Sequence, residues 1–119
     1  MTDTILKRTT LIVRDATRQK KFYEEVFGWT CSYDAEMELS GSILPCGNPG
    51  DKVHLYIMQG DDKEIGKVGI LEWLDPKMPD PGPPKHRLGI GDSIIVADVP
   101  DMESIVAKVA AFPGARVYA

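Results

Sequence analysis

Five polar side chains lie on segments whose alternation of apolar and polar residues predicts β-strands. An arginine guanidinium binds carboxylates or phosphates through a planar fork of donors. A carboxylate among aliphatic residues can act as a general base, and a histidine beside a tyrosine can transfer protons. The set therefore predicts a ligand-binding face for a small molecule, anionic or aromatic, with acid–base chemistry as a further option. The five residues are Arg8, Thr10, His54, Tyr56 and Glu72.

Each of these residues also has a purely structural interpretation. Arg8 could be an exposed residue at a strand end, and Glu72 could form a salt bridge with it. His54 could be a hydrogen-bonded or solvated histidine with no functional role. His86, in a loop rich in proline and glycine, could cover a cleft or be exposed. The aromatic side chains of Trp29, Trp73 and Tyr33 could line the cleft or simply pack in the core.

A metal site is not predicted from the residues. His54, His86 and Glu72 have side chains that suit zinc or iron, but their spacing supports no such cluster. Cys31 and Cys46 match neither a zinc pair nor a redox motif, so we expect two reduced thiols.

The elements that position these residues can be predicted from periodicity and from helix-capping and turn residues. Residues 5–14 alternate as a strand, and a helix capped by Asp15 or Thr17 runs to about Phe27, where Gly28 ends it. Further strands are predicted over residues 29–39, 53–59 and 68–74. A Pro/Gly-rich linker covers residues 75–91. A strand at 93–99, a helix from about residue 100 to Pro113, and a strand beginning at 115–118 follow.

The pattern also predicts which strand faces meet the helix. The stripe of the first helix consists of Phe22, Tyr23, Val26 and Phe27. We expect the aliphatic side chains of each strand to pack against it. The opposite face of the sheet would then carry the five polar residues together and form the pocket.

A strand–helix unit occurs twice along the chain. Leu11 to Asp15, followed by a helix, aligns with Ile94 to Asp98, followed by another helix, and the positions keep one offset of 83 residues. Two amphipathic strand–helix units can also align by chance. We interpret the match as a duplicated module.

Composition excludes several classes of function. The 119 residues form one domain with 43% hydrophobic and 27% charged residues and a formal net charge of −4. The sequence has no stripe of basic residues of the kind that would favour nucleic-acid binding. No apolar run is long enough for a membrane span, and the first residues lack the pattern of a signal peptide. We therefore expect a cytoplasmic protein.

The segment from Leu11 to Asp15, together with the Phe22-Tyr23 pair and the Phe27-Gly28-Trp29 string, resembles the vicinal oxygen chelate superfamily. This superfamily includes glyoxalase I, bleomycin-resistance proteins and extradiol dioxygenases. The Pro-rich linker followed by residues 92–99 is similar to its glyoxalase-related bacterial members. The resemblance implies an α+β fold of paired βαβββ modules, a curled mixed sheet with a small-molecule cleft. Module one would cover about residues 5–75, the linker 76–91 and a partial module two 92–119.

In the metalloenzymes of this superfamily, each module supplies an early His or Gln and a late Glu as metal ligands. The resemblance places Arg8 and Gly91 at the early positions and Glu72 at one late position. A guanidinium offers no lone pair and glycine has no side chain, so this set predicts no metal and no cofactor.

The leading hypothesis is a metal-independent, small-molecule-binding protein of the bleomycin-resistance type, with a homodimer as the expected assembly. A lyase or dioxygenase with a non-standard metal site is the alternative, and an interaction protein with a vestigial cleft is a third. The second module stops about two strands short. We expect either that the natural product continues beyond Ala119 or that a partner chain closes the sheet.

Overall fold

The computed structural model describes residues 3–42, 47–85 and 87–118. Its elements are β1 (Arg8–Ile12), α1 (Ala16–Phe27), β2 (Thr30–Glu38), β3 (Lys52–Gln59), β4 (Lys67–Asp75) and α2 (Met102–Ala111). The chain divides into two compact units, Met1–Met78 and Pro79–Ala119, and the boundary falls in the predicted linker. Neither helix in the described part of the chain is long and apolar enough to span a bilayer.

The first unit is a four-stranded mixed sheet in the order β1-β4-β3-β2. β1 pairs parallel with β4, while β3 pairs antiparallel with both β4 and β2. The parallel pair needs a long crossover, which α1 and the two strands that follow it provide. This arrangement confirms the predicted α+β class and the βαβββ order of module one.

Helix α1 begins and ends where the capping residues predict. Asp15 is the N-cap, and its carboxylate accepts a hydrogen bond from the Arg18 backbone N–H at 3.1 Å. Gly28 has a φ of 68°, a left-handed conformation that ends the helix with little strain. The two caps therefore fix the length of α1, and with it the number of residues between β1 and β2.

The faces of β3 and β4 are the reverse of the prediction, whereas β1 turns Leu11 toward the helix as predicted. Helix α1 packs on the face that carries Tyr56, Met58, Val68 and Ile70, which we call the helix-packed face. His54 and Glu72 lie on this face as well, because side chains alternate along a strand. The other face, which we call the open face, carries the residues paired in three rows across the sheet: Thr10, Gly69, Ile57 and Tyr33; Ile12, Leu71, Leu55 and Ala35; Trp73, Val53 and Met37.

Each face contains its own buried cluster. On the helix-packed face, Ala16 and Tyr23 of α1 meet strand residues with little or no exposed surface. Val26 completes the buried stripe of the helix at 1% exposure. On the open face, Val53, Leu71 and Trp73 are buried among partly buried Met37, Leu39 and Leu55. Burial on both faces explains why β3 and β4 are apolar along almost their whole length.

Burial raises the pKa of Tyr23 above the ordinary tyrosine value of 10.0. Because the folded state holds this proton more tightly than the unfolded state, ionisation of the hydroxyl favours unfolding. The free energy of unfolding therefore keeps its full value below pH 10 and decreases as the pH rises above 10. Tyr23→Phe removes the ionisable hydroxyl and keeps the ring. We expect the free energy of unfolding of this variant to fall less steeply above pH 10 than that of the parent, measured by denaturant unfolding at a series of pH values. Parallel curves would contradict this account.

The second unit differs from its prediction. Helix α2 is present, with Asp101 as its N-cap, and Phe112 lies at its C-terminal cap. Residues 93–99 and 115–118 form no strand, and Ile94 and Val96 are 71% and 86% exposed. A strand is defined by its ladder of hydrogen bonds. The described residues of the second unit, 79–85 and 87–118, supply no counterpart of β4 with which residues 93–99 could pair.

Candidate functional site

Two of the five predicted site residues, Glu72 and Tyr56, hold α1 to the sheet. Glu72 Oε1 accepts a hydrogen bond from the Ala16 backbone N–H at 2.7 Å. Helix first-turn N–H groups have no partner within the helix, so a carboxylate placed there stabilises the helix start. The hydroxyl of Tyr56 lies 3.3 Å from that of Thr17. Because Tyr56 is only 7% exposed, its hydroxyl has little access to a ligand.

His54 lies among carboxylates at the margin of the helix-packed face. Its Nε2 is 2.6 Å from Asp34 Oδ1, and its Nδ1 is 3.9 Å from Glu36 Oε1. Glu72 is its direct neighbour on β4. The ring also packs at 4.3 Å, centroid to centroid, against Tyr56. These contacts fit the structural interpretation of His54, a hydrogen-bonded histidine between strands.

Arg8 and Thr10 lie on the open face, opposite the other three residues. They are exposed and extend over β4 where that strand has Gly69. A Cβ built on Gly69 would lie 2.5 Å from Thr10 Oγ1 and 3.2 Å from Arg8 Cδ. The salt bridge with Arg8, which was the structural alternative for Glu72, is therefore not formed, because the sheet separates the two side chains. The prediction that all five residues share one face is wrong.

The open face offers an apolar surface with a cationic corner. Gly69 pairs with Ile57, and Ile57 pairs with Tyr33, so the row begun by Thr10 continues to β2. Tyr33 is 43% exposed and Ile57 is half-buried. Lys67 pairs with Arg8 at the start of the parallel ladder, which places two cationic side chains next to each other on this face.

Tyr33 is one of the aromatic residues predicted to line the cleft or pack in the core, whereas Gly69 and Lys67 are not among the predicted site residues. An isolated glycine inside a strand is a signal for close approach of another group to the backbone. That signal was available for Gly69. Lys67 has no signal of its own, because its place in the site depends on which face of the sheet carries the site.

Two comparisons with known proteins bear on this geometry. A family model described as the Glyoxalase/Bleomycin resistance protein/Dioxygenase superfamily matches residues 5–112. The chain belongs to this superfamily. A crystal structure of a glyoxalase family protein from Bacillus cereus superposes with a TM-score of 0.66 at 17% identity, covering 92% of this chain and 74% of that one. At that identity the likeness establishes the fold. No curated protein matches the chain.

The side chains at the superfamily's metal-ligand positions do not fit a metal ion. Arg8 has no lone pair to donate, and Gly91 has no side chain. Glu72 faces the helix and accepts the Ala16 N–H, on the side of the sheet away from Arg8. Across residues 3–42, 47–85 and 87–118, no three His, Cys, Asp or Glu side chains are grouped as metal ligands would be. His86 and Cys46 lie outside the described residues; Cys31 is a free, half-buried thiol.

Proposed function

We propose that this member of the glyoxalase superfamily binds a small organic molecule on the open face of its first unit, without a metal ion. The observation that carries the proposal is the row Thr10, Gly69, Ile57 and Tyr33. It begins beside two cationic side chains and ends in half-buried Ile57 and exposed Tyr33. Ligand sites are commonly apolar surfaces with a few polar groups that fix orientation. Arg8 and Thr10 are the polar groups here.

Binding rather than catalysis is the function that these side chains support. The polar side chains of the proposed site are those of Arg8, Thr10, Lys67 and Tyr33. None of them is a carboxylate or an imidazole, the groups that commonly act as a general base at neutral pH. The groups suited to proton transfer, His54 and Tyr56, lie on the helix-packed face. The alternative, a lyase or dioxygenase with a relocated metal, would need a ligand set that the described residues do not bring together.

A thermal-shift panel in the presence of a chelator tests the proposal. Small aromatic acids, aromatic amides and aliphatic acids are screened, and each stabilising compound is retested on Tyr33→Ala. A ligand at about 100 times its Kd stabilises the folded state by about 2.7 kcal/mol, which raises the unfolding midpoint by several degrees. We expect at least one such compound, with the shift reduced in Tyr33→Ala because the variant removes the aromatic end of the row.

Tyr118→Ala is the matched control, since Tyr118 is an exposed tyrosine of the second unit. Its ligand-induced shift should equal that of the parent chain. Stabilisation that appears only when Zn²⁺, Mn²⁺ or Fe²⁺ replaces the chelator would contradict the proposal and support the metalloenzyme alternative. A panel with no stabilising compound would contradict it as well.

A further inference from the structure

The cationic corner of the open face is only partly neutralised by the described chain: the Asp62 carboxylate interacts with Lys67, and no described carboxylate pairs with Arg8. Arg8 and Lys67 lie side by side across the β1–β4 ladder. Like charges at paired positions of a sheet repel each other. Among the described residues, Arg8 forms no ion pair or side-chain hydrogen bond, whereas Lys7 next to it pairs with Glu64 at 3.9 Å. An anion bound between Arg8 and Lys67 would remove this repulsion.

Gly69 determines where the Arg8 side chain lies. The Cδ atom of Arg8 is 3.2 Å from the place where a Gly69 Cβ would be, which is closer than most such contacts. The stem of Arg8 therefore runs over the β4 backbone, toward the middle of the open face. Any side chain at residue 69 would displace both this stem and Thr10, whose Oγ1 would be only 2.5 Å away. Glycine is required at residue 69 because there is no room for a side chain. Its backbone conformation is not the reason, since its φ is not in the left-handed region.

The apolar strip beyond Gly69 has the dimensions of an aromatic ring system. Neighbouring strands lie about 4.8 Å apart, so the distance from Gly69 on β4 to Tyr33 on β2 is about 10 Å. Ile57 lies between them as a flat apolar surface, and the Tyr33 ring stands at the far end. A one- or two-ring aromatic body fits this length, and an exposed tyrosine is a suitable partner for its edge or face.

We propose that the site selects aromatic anions, with Gly69 as the positioning residue. A carboxylate binds to Arg8 and Lys67 and accepts a hydrogen bond from the Thr10 hydroxyl, while the attached ring lies over Ile57 toward Tyr33. Arginine suits this role because its donors match the two carboxylate oxygens. The inference rests on the proposed function, since it specifies the ligand class of the same surface.

The test compares two probes that differ only in charge, naphthoate and its neutral amide naphthamide, by calorimetric or fluorescence titration of chelator-treated protein. We expect naphthoate to bind more tightly, and Arg8→Gln to weaken naphthoate about tenfold, the loss of one charge-assisted hydrogen bond. Naphthamide affinity should change little. Gly69→Ala should reduce the naphthoate-to-naphthamide ratio in the same direction, because the added methyl displaces Arg8. A purely structural role would lower both affinities together.

Lys21→Gln is the control, since Lys21 is an exposed α1 residue and its replacement changes the net charge equally. It should leave the affinity ratio unchanged. Because Gly69→Ala could fail to fold, Arg8→Gln decides the outcome independently. Equal affinities of the two probes in the parent chain, or a ratio unaffected by Arg8→Gln, would overturn anion selection and leave small-molecule binding intact. Absence of binding by both probes would overturn the inference, and the thermal-shift panel then decides the proposed function separately.

Discussion

Replacing Glu72 with alanine is expected to lower the free energy of unfolding by about 1–3 kcal/mol, the cost of leaving a buried donor without its acceptor. The donor is the Ala16 backbone N–H, which Glu72 accepts at 2.7 Å, and Ala16 is only 1% exposed. Glu72→Gln keeps a side-chain oxygen at this position and should recover most of the stability. Denaturant unfolding measures both variants.

Glu72→Ala should also leave ligand affinity unchanged, because Glu72 lies on the helix-packed face. Glu36→Ala is the matched control: Glu36 is an exposed carboxylate on the same face, next to His54. It should change the free energy of unfolding by less than about 0.5 kcal/mol. Weaker ligand binding by Glu72→Ala with unchanged stability would return Glu72 to the site and contradict the assignment of the faces.

Asp51→Ala is expected to cost about 3 kcal/mol, because one carboxylate oxygen satisfies two donors. Asp51 Oδ2 accepts from Trp73 Nε1–H at 3.1 Å and from the Asn48 backbone N–H at 2.8 Å. It is the buried charged residue of the described chain, at 7% exposure. These two hydrogen bonds join the loop before β3 to the buried cluster of the open face. Their loss should therefore loosen the margin of the proposed site.

Asp51→Asn should have a smaller effect, since an amide oxygen can still accept from both donors. Asp61→Ala, at an exposed turn residue, serves as the control and should be close to neutral. Free energies of unfolding from denaturant titration, followed by tryptophan fluorescence, give the three values. An Asp51→Ala variant as stable as the parent chain would show that these hydrogen bonds do not hold the loop.

The elements of the first unit could be predicted from the sequence because their signals are local. Asp15 and Gly28 have the side chain and the backbone freedom that a helix start and end require. The segment that became β3 (Lys52–Gln59) is a short apolar run with β-branched and aromatic residues, followed by a turn, which is typical of a buried strand. These features depend on neighbours within a few residues, so they can be predicted without knowledge of the tertiary structure.

The choice of face could not be made in the same way. Strand β3 is apolar on both sides, with Val53, Leu55 and Ile57 alternating with Tyr56 and Met58. Alternation says which residues share a face, but it does not say which face meets the helix. The packing of α1 against Met58 and Val68 decides it. Because Val53, Leu55 and Ile57 are all aliphatic, their side of β3 was predicted to pack against the helix, and this prediction is wrong.

The predicted strand at residues 93–99 failed for a related reason. Its apolar residues, Ile94 to Val96, have strand character, as Leu11 to Val13 do in the aligned segment. β1 (Arg8–Ile12) is a strand because β4 (Lys67–Asp75) supplies its ladder partner. Propensity alone creates no ladder, so a long-range partner outweighs local preference here.

The most direct test of the central claim is a map of backbone amide shifts by NMR, with chelator-treated protein titrated with naphthoate. The claim is that ligand binds the open face without a metal. It predicts the largest shifts at the amides of Thr10, Gly69, Ile57 and Tyr33. Largest shifts at His54, Tyr56 and Glu72, or shifts that appear only after Zn²⁺ or Mn²⁺ is added, would contradict it.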